Sequence, residues 1–118
     1  MTLDEYFDRH AESRKLFDRL RSVVESIGVA DIRVTKSQVA FYRTRAFAWA
    51  WIPGKYLNGR RAPLVLTLSF NRKDASPRWK GIVEPAPGRF THHLELYSAS
   101  DIDDEVRVWL HEAWSTAT

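Results

Sequence analysis

The apolar positions change period once along the chain, from that of a helix to that of a strand. Thr2 and Glu5 have capping-box spacing, and Leu3, Tyr6 and Phe7 share one side of a short first helix. Over about 12–27, Leu16, Phe17, Leu20, Val23, Val24 and Ile27 recur at the 3.6-residue period of a second, longer helix. Gly28 stands where a left-handed C-cap is expected. Beyond it, 31–36, 38–43, 46–52, 64–70 and 90–97 alternate at period two and predict five strands. In the third, Phe47, Trp49 and Trp51 oppose Ala46, Ala48 and Ala50. Such a row is more often core than surface, so it is expected to face the helices. If it faces outward beside Tyr42, the sheet gains an aromatic platform of the kind that stacks bases. In the fifth, Phe90, His92, Leu94 and Leu96 take one side and His93, Glu95 and Tyr97 the other.

A closing helix is predicted from Ser100, its expected N-cap. Asp101, Asp103, Asp104 and Glu105 crowd the positive end of its dipole, and Ile102, Val106, Trp109, Leu110 and Ala113 form its buried stripe. Residues 115–118 are expected to fray. The resulting expectation is a single α+β domain over 1–118. It has two N-terminal helices, a mainly antiparallel five-stranded sheet and a C-terminal helix on the same sheet face. Two connections are long. One covers 53–63, with turn signals at Pro53-Gly54 and Asn58-Gly59. The other covers 71–88, where Ser76-Pro77 reads as an N-cap and first helical residue and predicts one or two helical turns over 78–83.

Cysteine is absent, which removes disulfides, thiolate metal sites and thiol nucleophiles. No apolar run approaches the ~20 residues of a membrane span, and Met1–Glu5 lacks the basic-then-apolar order of a signal peptide. A cytoplasmic protein without membrane attachment, metal or cofactor is expected.

Charge adds what periodicity cannot. Residues 31–90 hold twelve Lys and Arg against three acids, a net +9, whereas the segment from Thr91 onward holds one against six, a net −5. A basic middle of this kind favours an anionic partner. Within it, aromatics interleave with cations: Tyr42 beside Arg43, Tyr56 after Lys55, Trp79 between Arg78 and Lys80. Cations that hold phosphate and rings that stack on bases are the ingredients of single-stranded nucleic-acid binding. The candidate contacts are Lys36, Arg43, Arg45, Lys55, Arg60, Arg61, Arg78 and Lys80, with Tyr56 and Trp79 as stacking rings. Ser76-Pro77 with Arg78 and Lys80 is a smaller anion site if a helix starts there. The alternative is a solvated face whose long stems cover apolar surface. Catalytic signals are weak: His93 and Glu95 share a strand face beside His92, without a third metal ligand at recognisable spacing.

The segments Val34-Thr35-Lys36-Ser37-Gln38-Val39-Ala40-Phe41, Arg89-Phe90-Thr91-His92-His93 and Asp101-Ile102-Asp103-Asp104-Glu105-Val106-Arg107 resemble, in the same order, a bacterial family known as domain of unknown function 5655. The resemblance covers nearly the whole chain and implies no activity. Members of that family fused to restriction-type nucleases lean toward a nucleic-acid context, and Lys36, Phe41 and His92 are the matching positions worth testing. The Trp49/Trp51 strand and the Arg60-Arg61 pair look particular to this chain. The leading expectation is a non-enzymatic binding module for an anionic partner, DNA or RNA foremost. A small-molecule or hydrolytic pocket centred on His92, with Lys36 and Tyr42 nearby, is the second. A protein-interaction domain is the third, in which the acidic last helix of one copy meets the basic block of another in a homodimer.

Overall fold

The computed structural model describes residues 1–55 and 61–118. Helices α1 (Leu3–Tyr6) and α2 (Ala11–Ile27) lead into strands β1 (Asp31–Val34), β2 (Val39–Tyr42), β3 (Ala46–Trp51), β4 (Leu64–Phe70), β5 (Gly81–Ala86) and β6 (Arg89–Leu96), and helix α3 (Asp104–Thr116) closes the chain. The sheet is antiparallel throughout, in the order β1-β2-β3-β4-β6-β5. The apolar stripes of α2 and α3 enter one core with Val39, Phe41, Ala48, Ala50, Leu64, Leu66, Leu68, Phe70, Leu94 and Leu96, so both helices cover the same sheet face.

The cap of α1 is as the pattern predicts. Thr2 and Glu5 close a reciprocal capping box on α1. From α1 inward, Tyr6, Phe7, Phe17, Phe41 and Phe47 form a file of rings with successive centroids 5.0, 5.1, 5.8 and 6.4 Å apart. Such edge and offset contacts add to the burial of each ring. The Tyr6 hydroxyl finishes the file by accepting from the Ile52 N–H and donating to the Ser37 carbonyl, each at 3.1 Å.

Five expectations need correction. The sheet has six strands, because 81–86, assigned above to the end of a helical segment and the loop after it, pairs with β6 as an edge strand. Ser76 does not start a helix; its hydroxyl accepts from the Arg78 N–H at 3.2 Å in a turn. Strand pairing wins over the Ser-Pro signal because Ile82 packs against the core beside His92. The N-cap of α3 is Asp103, which accepts from the Val106 N–H at 3.0 Å, whereas Ser100 lies in a preceding 3₁₀ turn. The C-terminal residues are tied down: Ala117 is buried, its carbonyl accepts from the Thr44 N–H, and the Thr116 carbonyl accepts from Arg45 at 2.7 Å.

The fifth correction concerns Gly28. Its backbone is extended at φ 175° rather than left-handed. Glycine is required there by crowding, since a Cβ would collide with the Trp114 indole, whose Nε1–H donates to the Val29 carbonyl at 2.9 Å. Gly28→Ala should therefore destabilise the protein by about 1–3 kcal/mol. In a Trp114→Leu background the penalty should shrink. Urea titrations of the four variants in that cycle measure the coupling, and additive effects would refute it.

Candidate functional site

A break in the alternation of β3 builds the site. Phe41 pairs with Ala48 but Tyr42 with Ala46, so Phe47 is the extra residue of a β-bulge. Phe47 and Ala48 both turn to the core, and Ala50 follows. Trp49 and Trp51 are thereby placed on the opposite face, which no helix among the described residues covers, half-buried. The row expected to be core is split: Phe47 is core, and the two tryptophans are not.

Two ladder rows cross this open face. One carries Ala40, Trp49, Thr67, His93 and Gly81; the next carries Trp51, Val65 and Glu95. Alternation of large rings with Thr, Val and Gly leaves depressions between the rings. The deeper groove, about 290 Å³, is lined by Trp51, Pro53, Arg61, Val65, Lys80, Gly81, His93 and Glu95. A shallower one adjoins it at Gln38, Trp49, Thr67 and Thr91, sharing Trp51 and His93.

A hydrogen-bonded chain fixes the floor. Trp51 Nε1–H donates to Thr67 Oγ1 at 3.2 Å, and Thr67 Oγ1 lies 2.7 Å from His93 Nδ1. An indole N–H can only donate, so Thr67 accepts there; its hydroxyl keeps one hydrogen and a second lone pair, so its bond to Nδ1 runs in the direction the His93 tautomer sets. When Thr67 donates, the neutral ring carries its proton on Nε2. Burial holds the His93 pKa below the ordinary histidine value, which favours the neutral ring. A hydroxyl bonded to an imidazole nitrogen also has the outline of a nucleophile and its base. Here Thr67 is buried and one of its lone pairs is occupied by Trp51, and the groove is better built to hold a ligand than to attack one. Among the described residues no group of His, Asp and Glu is placed to hold a metal ion.

Of the sequence candidates, Lys80, Arg61, His93 and Glu95 meet at this groove, with Lys80 Nζ 3.8 Å from a Glu95 oxygen. Lys36 sits in the β1–β2 turn, two residues before the groove-lining Gln38. Others serve the fold. Arg78 binds Asp103, Glu105 and the Asp101 carbonyl. Arg43 and Arg45 donate to the Trp114 and Thr116 carbonyls at the negative end of α3, with Arg43 stacked 3.7 Å over the Trp114 ring. Lys55 lies over the Tyr6 ring and bonds the Tyr6 carbonyl, and burial lowers its pKa. Trp79 is buried on Trp109, with ring centroids 4.2 Å apart. Tyr56 and Arg60 lie outside the described residues. Sequence reasoning missed Thr67 and Gly81. Thr67 was legible as a polar position inside a leucine strand, whereas Gly81 had no signal once its segment was read as helix.

His92 belongs to the core and not to a pocket. It is fully buried; Nε2 accepts from the Asp74 N–H at 2.9 Å and Nδ1 faces the Phe90 carbonyl at 3.3 Å. Asp74 in turn binds Trp79 Nε1 and Arg72, and Arg72 grips Glu112 of α3 with two nitrogens. Burial raises the Asp74 pKa, but the bonds from Trp79, Ser76 and Arg72 outweigh it and leave the carboxyl below its ordinary value. Tyr42 lies on the open face under Arg33, whose guanidinium is 3.8 Å from its ring centre.

The chain belongs to the family described as Domain of unknown function (DUF5655), which matches residues 3–117. No curated protein and no solved structure matches it. No helix among the described residues is long and apolar enough to cross a membrane.

Burial lowers the pKa of both His92 and His93, so the unfolded chain binds protons that the folded protein refuses. Stability is then fully present above the ordinary histidine value of about 6.5 and is lost as pH falls below it. Urea unfolding between about pH 7.5 and pH 5.5 should show this slope. His92→Leu should flatten it while costing about 1–3 kcal/mol at neutral pH, because the Asp74 N–H loses its acceptor. An unchanged slope would assign the pH dependence elsewhere.

Proposed function

We propose that this member of the family is a non-enzymatic binding module whose open sheet face takes single-stranded nucleic acid, DNA or RNA. The observation that carries this reading is the partial exposure of Trp49 and Trp51 on the open face beside a groove edged by Arg61 and Lys80. Rings of this kind stack on bases at about 1–3 kcal/mol each, and nearby cations hold the backbone. A groove of about 290 Å³ lies at the small end of ligand sites, the size for one nucleotide unit rather than an extended cofactor. Lys36, in the turn two residues before Gln38, is a further candidate cation near the second depression. The basic block thus contributes a few positions to the face instead of all twelve cations.

A thymidine 20-mer (about that length) should quench tryptophan emission, with affinity falling steeply as salt rises. Trp51→Ala should weaken binding about tenfold, the value of one stacked base. Gly81→Val should weaken it as well without loss of the folded state, because a Cβ at Gly81 meets nothing within 4 Å and valine suits a strand. Absence of quenching at low salt overturns the proposal.

A further inference from the structure

The groove has a polarity of hydrogen bonding that a stacking platform does not need, and we infer that it selects guanine among the bases of the bound strand. This inference rests on the nucleic-acid reading of the open face and adds a specificity to it.

Three observations define the recognition edge. First, His93 and Glu95 stand two residues apart on β6, on the same face, and both line the groove opposite Trp51. A base lying on the Trp51 ring would turn its edge toward them. Second, the Trp51–Thr67–His93 chain engages Nδ1, and in the tautomer in which Thr67 donates to Nδ1 the ring offers Nε2–H as a donor. Third, Glu95 offers two acceptor oxygens. Its contact with Lys80 is long, 3.8 Å, and the Lys80 side chain is mostly exposed, so the carboxylate keeps acceptor capacity for a ligand.

In that tautomer the wall presents one donor beside a two-oxygen acceptor. All four bases offer some acceptor and some donor on their Watson–Crick edge. Guanine alone offers two adjacent donors, N1–H and the N2 amine, next to the acceptor O6. Those donors match a carboxylate bidentately, a charge-assisted arrangement stronger than single neutral bonds. O6 is left for His93 Nε2–H. Adenine and cytosine give Glu95 a single amine, and uracil or thymine a single imide N–H. The negative charge of Glu95 also sets orientation. Phosphate is repelled from that wall and drawn to Arg61 and Lys80, so the base edge faces β6.

The test compares thymidine decamers that carry a single central deoxyguanosine, deoxyinosine or deoxyadenosine, titrated against the full chain by tryptophan quenching. Deoxyinosine keeps O6 and N1–H but lacks the N2 amine, so it isolates the second donor to Glu95. The guanine strand should bind about tenfold more tightly than the adenine strand, with the inosine strand between them. Glu95→Gln should bring all three within about threefold of one another, with an unchanged melting temperature showing that the variant is folded. Equal binding of the three strands by the unaltered protein sinks the guanine assignment and leaves the nucleic-acid reading standing. Failure of every strand to bind sinks both.

Discussion

One extra residue in β3 decides which side of this protein is open. Without the bulge at Phe47, strict alternation would force a choice between Phe47, Trp49 and Trp51 on one face and the three alanines on the other. The bulge lets Phe47 join the ring file from α1 and α2 while Ala48 and Ala50 give the helices room to approach. The two tryptophans are displaced to the far side. Their partial burial there is side by side with Thr67 and Val65, which they shield from solvent without any helix above them. A core requirement thus creates the aromatic face, and the groove follows from the small residues at Thr67 and Gly81 between the rings.

The same economy governs charge. The basic middle and acidic end of the chain are far apart in sequence, yet much of the contrast is resolved within the molecule. Arg78 reaches the acids at the start of α3, and Arg72 reaches Glu112 near its end. Arg43 and Arg45 cap the carbonyls beyond it. Individually such partly exposed pairs contribute little, about 0–1 kcal/mol. Their effect here is positional, holding α3 against the sheet from both ends and from the 71–80 loop. Arg61 and Lys80, the latter 3.8 Å from Glu95, lie at the groove, at the end of β3 and β4 opposite to Arg43 and Arg45.

Periodicity made both long helices and five of the strands legible, with ends off by up to about three residues, because each presents apolar positions to one core. It failed at β5. Gly81-Ile82-Val83-Glu84-Pro85-Ala86 is an edge strand with a proline and an irregular register, so its alternation is too short to outweigh the Ser76-Pro77 turn signal. Capping was legible in type but not in place, since Ser98, Ser100, Asp101 and Asp103 are all competent caps, and Ser98 caps the 3₁₀ turn while Asp103 caps α3. The site was legible residue by residue and not as a site. His93, Glu95, Lys80 and Arg61 each stood out, but their convergence depends on the β4–β6 register and on a strand that periodicity does not reveal.

Adjacent histidines show how strand parity turns one residue type to two purposes. His92 faces the core, accepts a backbone N–H at Nε2 and so carries its proton on Nδ1, where it anchors Asp74 and with it the loop gripping α3. His93 faces outward and bonds the Thr67 hydroxyl through Nδ1 at 2.7 Å. Burial lowers the pKa of both rings and favours their neutral forms, but only the inner one has its proton fixed by a backbone donor. The inner ring is fully satisfied and has nothing to offer a ligand. The outer ring is bonded on one side only and lines the groove. A one-residue slip of β6 against β4 would exchange these roles, leaving a histidine without partners in the core and an apolar leucine row beside the tryptophans. The register that buries Leu94 and Leu96 is therefore the same constraint that gives the open face its histidine.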